Sequence, residues 1–139
     1  MPKLPRDANY RKYNISKNRF RELYYYALQY QEWKDELRYK YDTAKAITYS
    51  DMPKAPQNGA GDPTFEAAAR CSDLQHKIDT IEKSARLADE QLYPYILKAV
   101  TNEGITYNYL YMHCGIPCGS NTFYDRRRRF YWILDKNLE

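Results

Sequence analysis

The chain has 139 residues, a formal net charge of +4 and 16 tyrosines beside 4 phenylalanines and 2 tryptophans, so aromatic side chains are plentiful while glycine, at 5, is scarce.

 

A chain of this length suits one domain and buries a core without disulfide or metal staples. Scarce glycine argues against many short strands joined by turns. No apolar run approaches the roughly 20 residues that cross a bilayer, so no membrane partner is expected. The modest positive charge points weakly to a polyanionic partner.

Residues 1–14 read as a basic, loosely ordered arm, with Lys3, Arg6, Arg11 and Lys12 against Asp7 alone. The opening Met1-Pro2-Lys3-Leu4-Pro5-Arg6 lacks the apolar stretch of a secretory signal. Cys71, Cys114 and Cys118 are an odd number and read as reduced thiols, so the expected location is the cytoplasm. Ser16 then caps a helix predicted over about 17–48. Phe20, Leu23, Ala27, Tyr30, Leu37, Tyr41 and Ala44 recur three and four residues apart on one stripe, and Trp33 covers the gap at Lys34.

Residues 50–63 hold three prolines and two glycines among short polar side chains, which reads as a loop. Asp62 followed by Pro63 is a helix-start signal. The next stripe, Cys71, Leu74, Ile78, Ile81, Ala85, Ala88 and Leu92, has an unbroken 3-4 spacing. Pro94 is expected to end or bend this helix near Leu92. Two such stripes predict an antiparallel helical hairpin over 15–92, and the same pattern also suits a coiled coil between two chains.

A short helix over about 94–102 stops at Gly104, and Thr106 caps another from Tyr107 to His113. Gly115-Ile116-Pro117-Cys118-Gly119 reads as a turn. Ser120 or Asn121 then caps a last helix to about Asn137, with Leu110, Ile116, Phe123, Phe130 and Leu134 as the local apolar interior. The fold class is therefore all-α: a long helical hairpin followed, over 93–139, by a three-helix unit with a helix-turn-helix outline.

In a helix-turn-helix the second helix enters the major groove. Ser120, Asn121 and Thr122 would lead that helix, where small polar side chains reach base edges or phosphates. Asp125, Arg126, Arg128 and Arg129 follow within two turns. Arg126 and Arg129 share a face with Thr122, Arg128 flanks them, and Arg127 falls on the side of Phe123 and Phe130, where burial or pairing is expected. Double-stranded DNA is the expected partner, with a homodimer supplying enough contacts.

The segments Leu92–Thr101, Tyr107–Leu110, Ile116–Gly119, Phe123–Arg126 and Phe130–Leu134 resemble small prophage proteins of Gram-positive bacteria that are similar to RinA/ArpU-type phage transcriptional regulators. The resemblance spans about residues 64–135. It implies a sigma-factor-like C-terminal helix-turn-helix, control of late phage genes and a bacterial host cytoplasm. Pro117-Cys118-Gly119 lengthens the turn relative to that pattern.

Other chemistries find less support. His113, Cys114 and Cys118 lack the paired spacing of a zinc site, and Gly59-Ala60-Gly61 lacks the Lys-Ser/Thr of a phosphate loop. Glu36 and Lys40 read as an exposed helix pair. Neither a catalytic residue, a metal nor a cofactor is expected. The rival readings are a phage or mobile-element protein-interaction module, for example an inhibitor of a host defence protein, and a DNA-packaging or structural component. The tyrosine-rich first helix is the basis of the former.

Overall fold

A computed structural model describes residues 13–49 and 63–139, with only the backbone described for 43–49 and 63–64. Residues 1–12 of the arm expected over 1–14, and residues 50–62 of the loop expected over 50–63, lie outside the described residues. Every element among the described residues is helical: α1 (Lys17–Leu28), α2 (Tyr30–Tyr49), α3 (Pro63–Ala88), α4 (Tyr93–Thr101), α5 (Tyr107–Tyr109, widening into a π-helical turn at Leu110–Cys114) and α6 (Ser120–Asn137).

Ser16 caps α1 as its sequence position implies, its hydroxyl accepting the Arg19 amide at 3.1 Å. The single helix expected over 17–48 is bent. At Gln29 the backbone tightens, with its amide donating to Tyr26 O at 3.2 Å, and α2 begins one residue later. No Pro or Gly marks the site. The bend lets α1 lie on α4 and α6 while α2 follows α3. The Tyr26 and Trp33 rings meet edge to face across it, with centroids 4.9 Å apart.

Phe20, Leu23, Ala27, Tyr30 and Trp33 are buried along this bent helix, so Trp33 does fill the gap at Lys34. Leu37 is half-buried and Tyr41 is 61% exposed. In α3 and just beyond it, Leu74, Ile78, Ile81, Ala85, Ala88 and Leu92 are all buried. Each large apolar side chain removed from water in this way stabilises the fold by about 1.5–3 kcal/mol before entropy is counted. Glu36 pairs across the hairpin with Arg70, Nε to Oε2 2.9 Å, rather than along its own helix with Lys40.

The second helix stops at Ala88, short of the expected Leu92. Asp89 ends it. Its Oδ1 accepts the amides of Gln91 and Leu92 at 2.9 and 3.0 Å, a side-chain turn that competes with helix continuation. Pro94 then sits in the first turn of α4, where its missing N–H costs nothing.

α3 is the spine, packing against α2, α4 and α6. One apolar core joins the hairpin to the C-terminal unit. Phe20 of α1 meets Tyr131 of α6 edge to face at 5.0 Å, and Phe123, Phe130 and Leu134 are buried. Ser84, buried in α3, donates to Thr80 O at 2.8 Å and accepts from Asn137 Nδ2 at 3.0 Å, which ties the end of α6 to the spine.

Candidate nucleic-acid interface

The geometry begins at Thr106, whose Oγ1 accepts the Tyr109 amide at 3.1 Å and starts α5. The helix widens at Leu110–Cys114 and ends at Gly115, where φ is +67°. That left-handed backbone strains an L side chain, which is why glycine stands there. The Ile116 amide reaches back to Leu110 O at 3.3 Å, and Ile116 is buried. Tyr107 Oη donates to Cys118 O at 2.6 Å, while the Tyr107 ring lies 6.1 Å from that of Phe123. The longer turn is therefore held at both ends.

Gly119, not Ser120 or Asn121, is the N-cap of α6. Its backbone is extended (φ −81°, ψ 169°), and Ser120 is already helical. Ser120, Asn121 and Thr122 thus occupy the first turn, and all three are exposed. They form the polar leading edge anticipated from the sequence.

The four arginines separate by environment. Arg126 is half-buried and bridges two carboxylates, Nε to Asp89 Oδ2 at 3.0 Å and Nη1 to Asp125 Oδ2 at 2.7 Å. Arg127 is 7% exposed, its guanidinium over the Tyr124 ring at 4.8 Å and the Phe123 ring at 5.7 Å. Arg128 is half-buried with Nη1 3.9 Å from Asp125 Oδ1. Arg129 is exposed. Asp125 also accepts from Tyr13 Oη at 3.4 Å, and the Tyr13 ring lies 6.3 Å from Trp132. Tyr13 therefore lies against the side of α6 that carries Asp125 and Trp132.

Two residues of this network, Asp89 and Tyr13, were not singled out in the sequence. Asp89 had a local signal, an acidic turn residue five positions before Pro94. Tyr13 had none, because its partners lie more than a hundred residues away. Burial pushes the Asp89 carboxyl up, but the Leu92 amide, the Arg126 guanidinium and the Gln91 amide outweigh it and hold the group below its ordinary value. Burial pushes the Cys118 thiol up, which favours the protonated, unreactive form.

A scan against protein-family models finds no match, and searches of curated proteins and of solved structures find none either. Among the described residues, no three His, Cys, Asp or Glu side chains gather as a metal site. None of the described helices is long and apolar enough to cross a membrane.

Proposed function

We propose that the chain binds double-stranded DNA through α5, the 115–119 turn and α6, as a transcriptional regulator of the phage type that its sequence resembles. The observation that carries this reading is the exposed first turn of α6, Ser120-Asn121-Thr122, on a helix whose opposite side is buried against the core. In this reading those side chains meet the groove and Arg129 meets a phosphate. Arg126 orients the helix through Asp89 and Asp125 instead of offering its charge outward. The chain acts as a binding protein, not as a catalyst.

Fluorescence anisotropy with mixed-sequence duplex DNA across a salt series tests it. Binding should weaken steeply with salt. Arg129→Ala should reduce the slope of log affinity against log salt by about 1. Absence of binding at low salt would overturn the proposal, as would binding indifferent to both Arg129→Ala and the combined replacement of Ser120, Asn121 and Thr122.

A second reading has its own observation. Tyr109, Tyr111 and Met112 are exposed on the first helix of the motif, Met112 by 69%. Apolar and aromatic side chains there favour a protein partner over a phosphate backbone.

A further inference from the structure

One side of the hairpin carries a groove that the described residues leave open. Two hollows of about 700 and 340 Å³ adjoin along the seam between α2 and α3 and share Tyr41 and Gln75 in their walls. From Ala67 to Glu82 the seam runs for about 22 Å of helix. Its distal half is poor in burial. Residues 65–70 of α3 are exposed throughout, with Phe65 72% exposed, and Tyr41 stands opposite them largely in solvent. A helix whose apolar side chains face water in this way is completed by a covering surface.

The two rims of the groove carry opposite charge. On α2 the bases Lys34, Arg38 and Lys40 outnumber Asp35, whereas Asp79 and Glu82 stand on α3. The register across the hairpin is set by Tyr30 Oη donating to Glu82 Oε1 at 2.6 Å and by Lys77 over the Trp33 ring at 5.6 Å. Lys34 consequently lies within about one helical turn of the level of Asp79.

We infer that a second copy of this chain covers the groove, forming a four-helix bundle about a two-fold axis that runs along the seam. An axis in that direction lays α2 of one copy over α3 of the other at equal height. The basic rim then meets the acidic rim twice, as an isologous contact requires. A two-fold axis across the seam would lay α2 on α2 and α3 on α3, setting like charges together. Charge thus selects both the occupant and its orientation. The assignment does not rest on DNA binding, because its readout is molecular mass.

The test uses two charge-reversed chains. One carries Lys34→Glu and Arg38→Glu, and the other carries Gln75→Lys and Asp79→Lys. All four side chains are exposed, so circular dichroism should match the unaltered chain. In sedimentation equilibrium the unaltered chain should show twice its 16.6 kDa mass. Each variant alone should be monomeric, and an equimolar mixture should regain the dimer. A monomeric unaltered chain, variants that still dimerise alone, or a mixture that stays monomeric would each overturn the inference. A variant that failed to fold would leave a second measurement decisive. Carbodiimide coupling in dimers mixed from isotope-labelled and unlabelled copies should join Lys34 of one copy to Asp79 of the other, and its absence would overturn the proposed packing.

Discussion

Arg126 Nε lies 3.0 Å from Asp89 Oδ2, while the other oxygen of the same carboxylate holds the turn between α3 and α4. One side chain therefore ends the spine helix and anchors the helix proposed to meet DNA. Asp89→Ala removes both oxygens and the three bonds they accept, and should cost about 2–3 kcal/mol. Asp89→Asn keeps a turn acceptor and should cost about 1 kcal/mol. Urea denaturation of both variants measures the difference.

The same carboxylate predicts an acid response. Its folded value is lowered, so its stabilising contribution is fully present above the unfolded value of about 3.9. It is lost as pH falls through the folded value, because the unfolded chain then binds more protons. Stability measured from pH 5 downward should decline less steeply in Asp89→Asn than in the unaltered chain.

Arg127 and Arg129 should part company. Arg127→Ala removes a guanidinium packed over two rings and should cost about 1–2 kcal/mol of stability. Arg129→Ala should leave stability within about 0.5 kcal/mol and appear in the salt slope of DNA binding. Thermal melts and anisotropy on the same two proteins separate the effects.

Gly115 and Gly119 flank the turn but should not be equally replaceable. Gly115→Ala forces a side chain into left-handed backbone and should cost about 1–2 kcal/mol. An added Cβ at Gly119 meets nothing within 4 Å and the backbone there is ordinary, so Gly119→Ala should cost under about 1 kcal/mol. Paired urea melts check the ranking.

Where the sequence was readable, periodicity made it so. The stripe from Leu74 to Leu92 is buried throughout, and the interior named for the C-terminal unit, Leu110, Ile116, Phe123, Phe130 and Leu134, is buried as a set. The bend at Gln29 escaped because neither Pro nor Gly signals it. It follows from which partner each half of the helix packs against, a tertiary fact. The early end of α3 escaped because Asp89 acts through local hydrogen bonds while the apolar stripe runs on past it. At the candidate interface the arginine run was visible, but its division was not. Helical phase foretold the burial of Arg127, whereas the pairing of Arg126 depends on a carboxylate from another helix.

The position of α3 as spine has a consequence for synthesis. α6 packs along it, and Phe130, Tyr131 and Leu134 of α6 are buried in the shared core. A nascent chain therefore carries the apolar faces of α1 and α3 uncovered until residues 120–137 have been made. During that interval it is exposed to aggregation and to chaperone capture, and folding waits on contacts formed across long stretches of chain.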